Sequence, residues 1–286
     1  MQDGKAVLGV IGGSGLYEIP EMTGLREITV ETPFGAPSGP VVEGRIGQQT
    51  VFFLARHGKG HVLSPTEVPY RANVWALKSL GVTHLLSVSA VGSLQAEIAP
   101  GHLIVPDQLI DRTKGTRAAT FFEGGAVAHV PLGDPYCGEF RQAVLAAASQ
   151  AKATVHDGGT LVCMEGPQFS TRAESFLYRS WGAQLIGMTA LPEAKLAREA
   201  SLCYTTLALA TDYDCWYEGH DSVTVEAVIE VMKGNAVKAR KTLLALVHSF
   251  GARNCACADT LKYALVTSPH AMSQEVKDRL ALLLGN

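Results

Sequence analysis

Short apolar runs that stop abruptly at glycine, hydroxyl or charged residues set the rhythm of this chain. Val7-Leu8-Gly9-Val10-Ile11 reads as a buried strand that enters Gly12-Gly13-Ser14-Gly15. Thr50 to Ala55 stops at Arg56-His57-Gly58, and His84 to Val88 stops at Ser89-Ala90-Val91-Gly92. Gln184 to Gly187 stops at Met188-Thr189, and Cys203 to Ala210 stops at Thr211-Asp212-Tyr213-Asp214. Helical spacing fills the intervals: Val68, Ala72, Trp75, Ala76 and Leu80 share a face across 68–80. Thr171-Arg172-Ala173-Glu174 is a capping box that opens a helix through Trp181. Pro192 suits the first turn of a helix to about Ala200. Val223 to His248 predicts a long helix with Thr224 as its cap, and two short helices are expected at 258–265 and 273–284. Thr113 to Ala128, rich in Gly, Ala and Thr, reads as a long loop.

The pattern predicts an α/β fold of one domain, a central mixed β-sheet flanked by helices, spanning 1–286 with a C-terminal helical extension from about 251. Ligands of open α/β sheets sit beyond the carboxyl ends of strands, so the five polar stops predict one shared pocket. Composition narrows the classes. Of 286 residues 47% are hydrophobic and 18% charged, which excludes disorder. A net charge of −3 speaks against a nucleic-acid platform. No apolar run approaches the ~20 residues of a membrane span, and Met1-Gln2-Asp3-Gly4-Lys5 lacks the order of a secretion signal. Six cysteines in so long a chain make no disulfide scaffold, so a reduced, cytoplasmic protein is expected. Cys255-Ala256-Cys257 lacks the spacing of a zinc motif, no His or carboxylate cluster has ligand spacing, and no metal is expected.

Each candidate stretch has an ordinary reading beside a chemical one. Gly12-Gly13-Ser14-Gly15 can present N–H groups to an anion or be a tight turn; it is neither a P-loop nor a dinucleotide fingerprint. Arg56 can fork onto phosphate oxygens with His57 beside it, or the two can be an ion pair and a satisfied histidine. Asp212-Tyr213-Asp214 closes an apolar strand, where a carboxyl resists ionisation and suits proton donation; an Asx turn is the alternative. No G-x-S-x-G elbow supports a serine hydrolase.

Taken together, seven stretches carry a resemblance. Gly12-Gly13-Ser14-Gly15-Leu16, Thr32-Pro33-Phe34-Gly35, Leu54-Ala55-Arg56-His57-Gly58, Ala72-Asn73-Val74-Trp75-Ala76-Leu77 and Glu165-Gly166-Pro167-Gln168-Phe169 come first. Met188-Thr189 with Pro192-Glu193-Ala194, then Ala210-Thr211-Asp212-Tyr213-Asp214-Cys215-Trp216, complete the order. The chain thereby resembles the trimeric purine nucleoside phosphorylase family over about residues 7 to 250, and the last stretch resembles its S-methyl-5'-thioadenosine phosphorylase branch.

The resemblance implies phosphorolysis of 5'-methylthioadenosine to adenine and 5-methylthioribose 1-phosphate, with inorganic phosphate as co-substrate and no cofactor. It implies Ser14, Arg56, His57, Ser89, Ala90 and Thr189 for phosphate, Met188 against the ribose and Phe169 over the purine. Asp212 is implied as general acid toward N7, with Asp214 as its base-binding partner. Val225 and Val228 match the slot for the methylthio group, Ser170 a position linked to substrate preference, and His129 a residue supplied to the neighbouring subunit of a homotrimer. Asp at 212 favours adenine over a 6-oxopurine, for which Asn is suited. The alternatives are a 6-oxopurine or methylthioinosine phosphorylase and a catalytically silent purine-binding trimer. Gln168 stands where an Arg is common in the family, and the C-x-C pair resembles one that forms a disulfide in some archaeal and bacterial relatives.

Overall fold

In the computed structural model the described residues are 6–13, 16, 19–218, 225–249, 251–252 and 254–285; side chains are described for these except at 225–228. Ser14 and Thr224, and the side chains of Val225 and Val228, lie outside them.

The anticipated strands form the centre of a mixed sheet of eleven strands among the described residues. Strands β1 (Leu8–Gly12), β4 (Gln49–Ala55), β5 (His84–Ser93) and β11 (Cys203–Asp212) are all parallel, in the order β4-β1-β5-β11. Their alternation sorts the core onto two faces, because successive side chains of a strand point to opposite sides. In β4, Phe52 and Leu54 join one buried cluster, and Val51 and Phe53 the other. Helices α1 (Tyr70–Ser79) and α4 (Ala190–Glu199) cover the first face, α2 (Gly138–Gln150) and α5 (Val225–Ser249) the second. α6 (Gln274–Leu284), capped by Ser273, adds Val276, Leu280 and Leu283 to the first.

Three expectations change. His84 to Val88 continues through Gly92 as strand, so Ser89 and Ala90 lie within β5. β10 (Leu185–Gly187) runs antiparallel to it, with Ile186 opposite Gly92. The site is therefore built along the second half of β5, onto which β10 folds back, rather than at five aligned strand ends. Helix 68–80 begins only at Tyr70, since Pro69 disfavours the helical region at Val68. Residues 258–265 form no α-helix: a 3-10 turn covers Ala256–Asp259, and Leu265 pairs with Ala128 in a β-bridge. A segment so short is marginal as a helix, and its backbone instead bonds to 127–129. β2 (Met22–Ile28) and β3 (Val41–Ile46) extend the sheet beside β4; polar and exposed, β2 carried no apolar signature. The loop 113–128 buries Arg117, Phe121, Phe122 and Ala126. Among the described residues no helix is long and apolar enough to cross a membrane.

Candidate active site

β5 supplies the floor. Ser89 Oγ lies 3.3 Å from Thr189 Oγ1, so the β5 and β10 sides meet at two hydroxyls, with exposed Ala90 beside them. Thr189 immediately precedes α4, whose regular turns begin at Pro192 because Leu191 is extended. The Arg56 backbone N–H donates to Gly12 O at 2.9 Å, which places the glycine turn against the Arg56-His57 corner.

Arg56 is 2% exposed and serves the frame more than the opening. Its Nε and Nη2 donate to the two carboxylate oxygens of Glu193 at 2.8 and 3.2 Å. Nη2 also reaches Ser87 Oγ and Ile11 O, and Nη1 donates to Val88 O. Burial opposes the charge, yet the Glu193 carboxylate outweighs it and holds the guanidinium above its ordinary pKa. With four donors committed, one Nη1–H is left among the described residues, and the fork faces Glu193.

His57 stands at the rim, its ring stacked on His61 at 4.2 Å. Nδ1 lies 2.8 Å from Leu63 O, and because a carbonyl only accepts, Nδ1 carries the proton and neutral His57 keeps a bare Nε2. Burial, with Arg56 and His61 adding repulsion, lowers its pKa to about 4. The unfolded chain protonates near 6.5 and the folded one near 4, so stability from neutral His57 is whole above about 6.5 and is lost as pH falls toward 4. Denaturation midpoints should fall across that window. His57→Asn, which keeps a donor for Leu63, should flatten the profile; an unchanged slope would contradict the assignment.

The acidic pair sits on a bulge. Ala210 is opposite Val91 but Asp212 is opposite Gly92, so Thr211 is the extra residue that re-aims Asp212. Gly101 N–H and Asn235 Nδ2 both donate to Ala210 O and fix the bulge from behind. Asp212 accepts from Thr211 Oγ1 at 2.6 Å and from the Asp214 N–H at 2.8 Å. Asp214 adopts φ +50°, a costly conformation for a non-glycine residue, and among the described residues its Oδ2 is buried without a hydrogen-bond partner. Burial raises both carboxyls above the usual range; for Asp214 the neighbouring Asp212 charge adds to the rise, and Ser175 offsets part of it. Trp216, donating to Ser93 O and covered by the Arg179 guanidinium, anchors the turn that follows.

Gly92 makes room for this pair. A Cβ there would stand 3.0 Å from Asp212 Oδ1 and from Ile186. Gly92→Ala should displace the carboxyl by a few tenths of an ångström and lower kcat about ten- to a hundredfold with the fold retained. A kcat unchanged in the folded variant would show that the pair's position is immaterial.

Gly166, at φ +68°, brings the backbone against Met188, where a Cβ would lie 2.5 Å from the thioether sulfur. Phe169 is exposed, and Ser170 O accepts from Cys215 Sγ, so the Phe169-Ser170 segment adjoins the acidic turn. The structure thus gathers Arg56, His57, Ser89, Ala90, Met188, Thr189, Asp212 and Asp214 around β5 and joins Ser170 to them. It does not bring His129 to this group: exposed, it bonds through its N–H to Ala264 O on another surface.

Sequence reasoning missed Arg117 and gave Glu193 no role. Arg117 Nη1 donates to the Met188 and Leu191 carbonyls at 2.6 and 2.8 Å, while Nε and Nη2 hold the Glu165 carboxylate and carbonyl. It ties the Met188 wall to the Glu165-Gly166 wall. A cation within a Gly- and Thr-rich loop gave no sign of burial; only the structure places it among four carbonyl and carboxylate oxygens.

The phosphorylase superfamily profile matches residues 7–248. The chain belongs to that superfamily. It is 56% identical to an S-methyl-5'-thioadenosine phosphorylase of Geobacter sulfurreducens, over 99% of each chain. A crystal structure of a methylthioadenosine phosphorylase from an Antarctic soil metagenomic library superposes with TM-score 0.92 at 48% identity, covering 98% of this chain and 99% of the other. A mutant of the Schistosoma mansoni adenosine/methylthioadenosine phosphorylase, in complex with methylthioadenosine, superposes with TM-score 0.79 at 35% identity, covering 98% of each chain.

Proposed function

We propose that this protein is a pentosyltransferase that cleaves S-methyl-5'-thioadenosine with inorganic phosphate, giving adenine and 5-methylthioribose 1-phosphate. The observation that carries the reading beyond its family is the Asp212–Asp214 pair, two adjacent carboxyls that burial holds toward the protonated form at the end of β11. Cleavage of the C1'–N9 bond leaves negative charge on the base and positive character on the ribose. A protonated Asp212 carboxyl donates to N7 as that charge develops, and the Asp214 carboxyl beneath it meets the 6-amino group.

Phosphate approaches C1' from the opposite face, where the Ser89 and Thr189 hydroxyls, the Ala90 N–H and the remaining Arg56 donor converge in this reading; the sequence resemblance adds Ser14, which lies outside the described residues. The bare Nε2 of His57 accepts a hydrogen bond from the hydroxyl of a protonated phosphate, whose proton passes to solvent, and Asp212 regains from solvent the proton it gives to the base. One phosphate oxygen bonds to C1' as N9 leaves, and adenine carries away one proton. Met188 lies against the ribose, Phe169 covers the base and Ser170 tunes preference; the sequence resemblance assigns the methylthio group to Val225 and Val228, whose side chains lie outside the described residues. No cofactor is needed for this chemistry.

The assembly we propose is a homotrimer in which His129 completes a neighbour's site. Phe176, Leu177 and Trp181 on α3 (Arg172–Ser180) and its C-terminal cap stand exposed beside the acidic turn, apolar surface suited to a subunit contact. A cytoplasmic location suits six free cysteines. Turnover of methylthioadenosine and inosine, each with phosphate, tests the base assignment: a strong preference for methylthioadenosine is expected, and preference for inosine would overturn it.

A further inference from the structure

Far along the chain from one another, Cys137, Cys203, Cys255 and Cys257 place their sulfurs within 4.8 Å of each other. Cys137 precedes α2, Cys203 opens β11, and in the C-terminal segment Cys255 caps the 3-10 turn and Cys257 lies within it. Cys255 Sγ lies 3.6 Å from Cys137 Sγ and 3.3 Å from Cys203 Sγ. Four thiolates around a zinc ion at about 2.3 Å would stand about 3.8 Å apart, close to this spacing. Cys137, Cys203 and Cys257 are buried and Cys255 is half-buried, so the cluster is closed by protein, as structural sites are. The cavity beside the sulfurs is bordered by Arg198 and Lys262 and equally by Asp134 and Asp259, so its wall adds no net charge.

We propose that these four cysteines form a structural tetrathiolate site for a soft divalent metal ion of the zinc class. Spacing along the sequence pointed to no metal because the ligands are separated by 118 and 52 residues and meet only in the fold. The site fastens the C-terminal segment to α2 and β11. That segment in turn holds 127–129 through the Ala128–Leu265 bridge and the His129 N–H to Ala264 O. Binding releases the thiol protons to solvent, and the metal undergoes no redox change. This inference is independent of the reaction assigned to β5.

The test is metal analysis of the full chain purified under reductant, before and after incubation with Zn2+ alone, followed by exchange with Co2+. The expected result is about one tightly held zinc per chain, released by a mercurial reagent, and the intense visible absorption of a tetrahedral cobalt thiolate. The Cys255→Ser/Cys257→Ser variant should lose at least ten-fold in bound metal and melt at lower temperature. Should that variant fail to fold, the cobalt spectrum of the parent decides. No retained zinc in the reduced protein, zinc retained equally by a folded variant, or Cys137 and Cys203 locked in disulfides that persist under reductant would each overturn the proposal.

Discussion

Asp212→Asn should lower kcat for methylthioadenosine by about 10²- to 10⁴-fold, the usual worth of a positioned proton donor, while the melting temperature changes little. The substitution keeps shape and keeps an N–H donor, but it removes the carboxyl whose proton meets the leaving base. Asn keeps one acceptor, for the Asp214 N–H; its amide replaces the oxygen that accepts from Thr211, whose hydroxyl can donate to Val91 O instead and accept from the amide, so the bulge is expected to hold. An amide also suits a 6-oxopurine, so the ratio of inosine to methylthioadenosine turnover should rise. Both carboxyls have raised pKa values, so the folded chain holds their protons more tightly than the unfolded one. Stabilisation from this source is full below the ordinary carboxylate value and is lost as pH rises through the raised values. Activity should decline over that alkaline side as the pair ionises, and the decline should move in Asp212→Asn. Steady-state kinetics across pH measures both effects; turnover of methylthioadenosine at the parental rate would remove Asp212 from the chemistry.

Glu193→Ala should be the most destabilising single change in the site. The Arg56 guanidinium and the Glu193 carboxylate are almost wholly buried, and Glu193 also accepts from the Tyr204 hydroxyl at 3.1 Å. Removing the acid leaves a buried, unpaired cation and an orphaned phenol, a cost of about 3–5 kcal/mol. The melting temperature should fall on the order of 10 °C, and any protein that folds should bind phosphate differently because the guanidinium is released. Glu193→Gln, which keeps two polar atoms but no charge, should lie between. Calorimetry of the three proteins checks the order; equal melting temperatures for Glu193→Ala and the parent would show that Arg56 is not held by this pair.

Much of this architecture was legible from apolar runs and their polar stops, because parallel strands buried on both faces must be continuously hydrophobic. β1, β4, β5, β10 and β11 all arise from such runs, and the Thr171–Glu174 capping box is formed with both of its reciprocal bonds. Ends and directions were less legible. Nothing local marks Ser89-Ala90-Val91-Gly92 as a strand continuation, since its pairing comes from β10 and β11, which lie about a hundred residues away in the chain. The bulge at Thr211 was equally hidden, for it depends on Asn235 and Gly101 meeting one carbonyl. For Arg56 the sequence leaves a phosphate fork and an ion pair both open; the acid that pairs with it, Glu193, comes from a distant helix. Tertiary partners of this kind have no period in the sequence.

The most direct measurement follows both products from methylthioadenosine with and without phosphate, by chromatography for adenine and phosphorus NMR for the sugar. Adenine and a sugar 1-phosphate formed in equal amounts, and neither formed without phosphate, is the predicted result. Adenine released at the same rate in the absence of phosphate would contradict the account, since water would then be the nucleophile.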